Sequence, residues 1–179
     1  MTVQTGTDLE ARIRRIEDRL EIQELVVRYG FHVDDHELDS LKSLFAPHGR
    51  LRTNAGVMKG DGVDAVGRYF ETHFGRLGPT NHFVHGHVID FDESDPDHAT
   101  GLVSSHAEVV RDGAPMVTAM RYIDAYVRVD GRWLFEDRVQ SYMYFVDVRE
   151  YPEALGSKLR VRTPPSDPAP ADWPVWFNQ

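Results

Sequence analysis

Residues Met116–Val146, MVTAMRYIDAYVRVDGRWLFEDRVQSYMYFV, are dense in β-branched and aromatic side chains and are interrupted once, at Asp130-Gly131. Such side chains suit a pleated surface, and an Asp-Gly pair supplies the reversal of a tight hairpin, so two antiparallel strands are predicted, 116–129 and 133–146. Upstream, Asn81–Phe91 and Ala99–Arg111 have the same character, with turn chemistry between segments at DESDPD and RDGAP. Four consecutive strands form an antiparallel meander.

The N-terminal side repeats with a helical period instead. Thr7-Asp8-Leu9-Glu10 has the form of a capping box, and Leu9, Ile13, Ile16 and Leu20, then Ile22, Leu25, Val26, Tyr29 and Val33, trace one apolar face. A helix from Thr7 to about Val33 is expected. A short second helix, Asp39 to Phe45, is predicted to stop at Pro47, and after an extended stretch at Gly49–Thr53 a third helix is capped by Asp61, with Val63, Val66, Tyr69, Phe70 and Phe74 on one side. Helices followed by a meander imply an α+β domain with the helices on one sheet face. That domain is expected to span residues 1–150. The remainder, 151–179, holds six prolines yet ends in Trp173, Trp176 and Phe177, aromatic surface that is costly to leave in water. The tail therefore either covers its own domain or reaches a neighbouring subunit, with plain disorder the alternative.

The chain has 179 residues, 41% hydrophobic, with 20 Lys plus Arg against 29 Asp plus Glu and a formal charge of -9. One domain fits that length. The negative balance argues against nucleic acid or an anionic membrane surface as partner. Without cysteine, disulfides, thiolate zinc sites and a cysteine nucleophile are excluded. No secretory pattern or apolar run of membrane-spanning length is found, so a cytoplasmic location is expected. Glycine-rich phosphate loops and a G-x-S-x-G elbow are absent, and Ser104, Ser105 and His106 are neighbours rather than a triad.

Three of the nine histidines lie in Asn81-His82-Phe83-Val84-His85-Gly86-His87. Strand alternation sends His82 to one face with Val84 and Gly86, and His85 and His87 to the other. A metal on His85 and His87 would need a third ligand such as His106 or Glu108; hydrogen-bonded strand histidines are the plainer reading, and no metal site or cofactor is assigned. Beside small apolar neighbours, His82 is predicted to face the helices. Asp34, where the first helix runs out, could hold one ring nitrogen and leave the other to take a proton, although a solvated helix end would look the same. Tyr29 on the same helix and Tyr122 on a strand face with Met120, Asp124 and Tyr126 could donate hydrogen bonds to a carbonyl oxygen that gains negative charge, or simply be core aromatics with a backbone partner. His106 could face either the cavity or solvent.

The segments RYGFHVDDHELDSLKSLFAPHG, GDGVDAVGRYF, NHFVHGHVID and AMRYIDAYVRVDGRWLFEDR together resemble the SnoaL-like branch of the nuclear transport factor 2-like superfamily, which includes scytalone dehydratase, bile-acid 7α-dehydratase and hexachlorocyclohexane dehydrochlorinase. The resemblance covers about residues 8 to 146. It implies a cone-shaped α+β barrel, a bent mixed sheet wrapped around N-terminal helices over an apolar pocket, oligomeric and cofactor-free. By motif position it implies an Asp–His pair at Asp34 and His82, with Tyr29 matching a tyrosine five residues before that aspartate. Two positions depart: a second acid or histidine has only an approximate counterpart in His106, and a C-terminal arginine falls near Tyr142.

The expected function is thus a cofactor-independent lyase of the dehydratase type acting on a small hydrophobic cyclic or polyketide-like substrate. Asp34, His82, Tyr29, Tyr122 and His106 are the candidate catalytic residues, His106 as donor to the leaving group. A homo-oligomer, dimer or trimer, is expected. An isomerase or cyclase using the same pair, or a non-catalytic binding module, are the alternatives, since fold alone does not fix chemistry.

Overall fold

The computed structural model describes residues 4–178, with side chains from Leu9 onward. Helix α1 runs Gln4–Asp34. It is already formed at Gln4, a turn before the predicted start at Thr7, whose side chain lies outside the described residues. The apolar face of α1 is not continuous in use. Ile22, Leu25, Val26, Tyr29 and Val33 are buried, whereas Ile16 and Leu20 are 60% and 59% exposed and Leu9 and Ile13 are exposed as well. The helix outruns its sheet: burial begins at Asp18, whose carboxylate accepts Trp133 Nε1–H at 3.0 Å and pairs with Arg128 at 2.7 Å.

The next helix, α2, is Leu38–Lys42, shorter than expected, because Phe45 opens strand β1, Phe45–Thr53. Pro47 sits inside β1 at a register break between Phe45 and Arg50, where its missing N–H is tolerated. A short strand not foreseen, β2, Met58–Asp61, pairs with β1. Helix α3, Val63–Phe74, starts at Gly62 rather than Asp61. Gly62 has φ 84° and no side-chain cap bond is made, so the start rests on a backbone angle that suits glycine.

Strands β3, Leu77–Phe91, β4, His98–Arg111, β5, Ala114–Val129, and β6, Arg132–Asp147, form the meander. The sheet order is β2-β1-β6-β5-β4-β3, antiparallel throughout except for the parallel β1–β6 pair. This mixed, curled sheet wraps α1, α2 and α3 as the cone-shaped α+β expectation requires, but it stays open, with β2 and β3 as edges. Alternation is regular on β4: Val103, Ser105, Ala107 and Val109 point in, Leu102, Ser104, His106 and Glu108 out.

On β3 the alternation breaks. A register shift between Val84 and His87 inserts one extra residue, as a β-bulge does. His82, Val84, His87 and Ile89 are therefore the partly or fully buried set, while His85, Gly86 and Val88 are exposed. The predicted sharing of a face by His85 and His87 is corrected by this bulge, and so is the grouping of His82 with Gly86.

The tail folds back on the domain. Helices α4, Tyr151–Ala154, and α5, Val175–Asn178, flank a stretch that bridges β6 through Phe145 and Val161. Arg160, 1% exposed, clamps it. Its guanidinium donates to the carbonyls of Met143, Ser157 and Trp173 at 2.8–2.9 Å and to Asn178 Oδ1 at 3.0 Å. Val161, Thr163, Ala169 and Asp172 end up on the wall of the cavity that His82 also lines. No described helix is long and apolar enough to cross a membrane.

Candidate active site

Asp34 is the last residue of α1, where the helix dipole disfavours a carboxylate. The site compensates with donors. Asp34 Oδ1 accepts the Thr80 hydroxyl at 2.6 Å and lies 2.6 Å from His82 Nδ1, and Oδ2 accepts the His82 backbone N–H at 2.8 Å. Burial by itself raises the carboxyl pKa, but the bonds from the His82 ring, the Thr80 hydroxyl and the His82 backbone outweigh it and hold the group below its ordinary value. An ionised Asp34 requires the proton of a neutral His82 to be on Nδ1, which leaves Nε2 as the basic nitrogen. The strand comes this close because α1 has no side chain at Gly30: a Cβ there would meet His82 Cβ at 3.2 Å.

Thr80 and His82 line a cavity of about 580 Å³, as do Tyr29 and Tyr122. Tyr29 is edge-on to Phe45, Phe70, Tyr122 and Phe135. Tyr122 is 2% exposed, and its hydroxyl has no hydrogen-bond partner among the described residues. Burial raises both phenols, Tyr29 well above its ordinary value and Tyr122 to about 12, against the opposing charge of Arg138. Both therefore keep their protons and remain donors. A buried donor left unpaired costs about 1–3 kcal/mol, so the Tyr122 hydroxyl is a strained element of the cavity wall.

His106 is not brought to this site. The regular alternation of β4 turns it outward, where its Nδ1 lies 2.8 Å from His85 Nε2 on an exposed face. His87, on the inner face, has Nε2 3.0 Å from the Tyr126 hydroxyl, which donates to Asp124 Oδ2 at 2.9 Å. The two histidines considered together as metal ligands thus sit on opposite sides of the sheet.

Two groups of side chains in or behind the cavity wall escaped the sequence reading. The first is Arg138, fully buried against Tyr29, Tyr122 and Phe135, with its guanidinium carbon 4.1, 3.8 and 4.3 Å from their ring centres. It pairs with Asp124 at 3.2 Å. A carboxylate on the inner face of β5 demands a cation, but uniform counting from the Asp130-Gly131 turn places Asp137 opposite it. The bulge between Ala125 and Tyr126 moves Arg138 there instead.

The second group is a basic end of the same cavity: Lys59 on β2, His73 on α3, Arg76 just beyond it, and Arg111 at the end of β4. Lys59 Nζ donates to Gln140 Oε1, which also accepts the Tyr142 hydroxyl at 3.0 Å. Burial, then the charge of Arg111, lowers Lys59 to about 8; burial, then Lys59, Arg111 and Arg76, lowers His73 to about 4. No sequence signal marked this end, because it gathers residues from three separate elements and a turn.

A curled, mostly antiparallel sheet holding helices and a cavity defines the class: a small α+β protein of the cone-shaped type. The chain belongs to the SnoaL-like domain family, whose sequence profile matches residues 14–139. This bears out the resemblance read from its motifs. No curated protein sequence matches the chain. Among solved structures it is similar to a candidate scytalone dehydratase of Novosphingobium aromaticivorans (22% identity, 74% of this chain and 89% of that one, TM-score 0.65). It is also similar to the hexachlorocyclohexane dehydrochlorinase LinA-type3 of Novosphingobium barchaimii (19% identity, 76% and 94%, TM-score 0.66) and to a protein of Kribbella flavida (22% identity, 74% and 95%, TM-score 0.64). At these identities the likeness is one of fold.

Proposed function

We propose that the protein is a cofactor-independent lyase of the dehydratase type, with His82 as the general base. The observation that carries the proposal is the 2.6 Å contact between Asp34 and the His82 ring, which lies on the wall of a cavity that Tyr29 and Tyr122 also line. The similar structures described as a dehydrochlorinase and a candidate scytalone dehydratase are consistent with elimination chemistry on this fold.

In this scheme the substrate carries a carbonyl, with a hydroxyl on the β-carbon. His82 Nε2 takes the proton from the α-carbon, and Asp34 stabilises the imidazolium formed. The electron pair moves into the carbonyl to give an enolate, whose oxygen accepts from Tyr122 and Tyr29. As the enolate collapses, the carbon–carbon double bond forms and the β-carbon–oxygen bond breaks. The His82 imidazolium returns its proton to the departing hydroxide, so water leaves and the ring is again neutral. His106 has no part in this scheme, because it lies on the other side of the sheet.

The test is turnover of a panel of β-hydroxy ketones of ring or polyketide type, followed by mass spectrometry. Loss of one water from the substrate is expected, and an unchanged product mass would point to isomerisation instead. With the substrate found, His82→Ala should lower kcat by about 10²–10⁴-fold with an unaltered circular dichroism spectrum; a variant with full rate would refute the assignment.

A further inference from the structure

We infer that the molecule taken into this cavity is anionic, with a carboxylate or similar oxyanion seated at the Lys59–Arg111 end while its reacting carbon lies toward His82. The inference rests on the cavity being a substrate site, and it adds the charge class of that substrate.

The basic end is uncompensated from within. Among the described residues Lys59 has no carboxylate partner: its ammonium is met by the neutral Gln140 amide and by the Tyr69 ring face at 5.3 Å. Arg111 has a buried Nε with no hydrogen-bond partner. Its nearest acid, Asp112, is 3.8 Å away and is engaged by Arg76, which donates to both of its carboxylate oxygens. The other acid on this side, Asp172, faces the same cavity but is tied down by the Asn54 amide at 3.2 Å and the Tyr142 N–H at 2.6 Å. Three cations, Lys59, Arg76 and Arg111, thus converge on one end of a chamber, with only Asp112 in ion-pair reach, in a chain whose net charge is -9.

A chain with an acidic surplus could neutralise these groups with one more Asp or Glu, and the wall instead offers Gln140 and tyrosines. Burying unpaired cations is costly, and the cost is recovered when an anion supplies charge-assisted hydrogen bonds. Arg111 offers the planar fork that matches a carboxylate. The neighbouring His73 is held neutral, with its pKa pushed down to about 4 by burial and by these same cations, so it adds no charge of its own. Lys59, pushed down to about 8, is the group an incoming anion would restore most.

The experiment is calorimetric titration of the full-length protein at pH 7 with a matched pair of probes, 2-naphthoate and its methyl ester, so that ring and size are shared and only the charge differs. The wild type is expected to bind the acid on the order of tenfold or more tightly than the ester. Lys59→Met and Arg111→Met should each erode that preference while leaving ester affinity unchanged, Lys59→Arg should keep it, and His82→Ala should keep it as well. Equal affinities of the wild type for acid and ester overturn the inference, and this comparison needs no variant to fold. A preference retained in both methionine variants, or lost in His82→Ala, overturns it too, by placing the anion elsewhere. Because the readout is binding, it is separate from turnover: loss of the acid preference with an active His82 would sink only the charge class, and full activity of His82→Ala would sink only the lyase scheme.

Discussion

Asp34, half-buried, and Asp124, fully buried, are carboxylates on the inner side of the sheet, and they behave in opposite ways. Asp34 is met by three donors and held below its ordinary pKa, and it borders the cavity through His82. Asp124 is sealed, 3% exposed, and burial outweighs the Arg138 charge and the Tyr126 bond to raise it to about 6. The first carboxylate orients a ring that faces open space. The second holds together the wall on which the tyrosines stand, since its partner Arg138 stacks under Tyr29 and Tyr122. In the proposed scheme the donors around Asp34 serve the reaction, whereas the ion pair closed on all sides serves packing.

The contrast breaks most sharply in turnover. Asp34→Asn should lower kcat on a confirmed substrate by about 10²–10⁴-fold, since it removes the charge that stabilises the imidazolium and frees the ring tautomer, with the circular dichroism spectrum of the wild type retained. If kcat survives, the two aspartates are both structural.

The wall should respond in stability instead. Arg138→Met alone leaves Asp124 without its cation and should cost about 3–5 kcal/mol in urea unfolding, whereas Asp124→Leu with Arg138→Met should be near neutral or stabilising. A double variant as unstable as the single one would mean that the pair contributes more than it costs to bury.

A pH series sharpens the same distinction. Asp34, with its folded pKa depressed, contributes stability that is present above the ordinary carboxylate value of about 3.9 and is lost as pH falls through the folded value. Asp124, raised to about 6, contributes in the opposite sense: its share is complete below about 3.9 and is lost as pH rises through about 6. His87 and His73, both depressed to about 4, add stability as pH rises from about 4 toward the ordinary histidine value, so the measurement must be a difference. Unfolding free energy of the double variant minus that of the wild type should grow between pH 4 and pH 6.5, and a flat difference would show that Asp124 does not titrate there.

The smallest effect belongs to Gly30. A methyl group at that position must displace His82 by a few tenths of an ångström from its 3.2 Å clearance. Gly30→Ala should therefore lower kcat several-fold with little loss of stability, because a sub-ångström shift of a positioned base already slows proton transfer. An unchanged kcat would mean that the helix gives way instead of the strand.

Much of this was legible in the primary structure, for reasons that can be named. The Asp130-Gly131 turn and the β-branched composition on either side specified a hairpin locally, and Val33-Asp34 marks where an apolar helix face gives out, so both survived folding. His82, Tyr29 and Tyr122 line one cavity, and Asp34 stands behind the His82 ring. His106 is not among them, because period 2 assigns alternate faces without saying which face is inner.

What the sequence determined on its own was local: element type, the turns, and a short list of residues with the right chemistry, each set by backbone preference and nearest neighbours in the chain. Only tertiary structure decided the rest. The bulge after Val84 carried His87 inward, the bulge at Ala125–Tyr126 put Arg138 rather than Asp137 against Asp124, and the fold drew Lys59, His73, Arg76 and Arg111 from three elements and a turn to one end of the chamber. A one-residue bulge reverses which face a side chain occupies, and burial then sets its charge. Both are properties of how strands meet, which no single strand encodes.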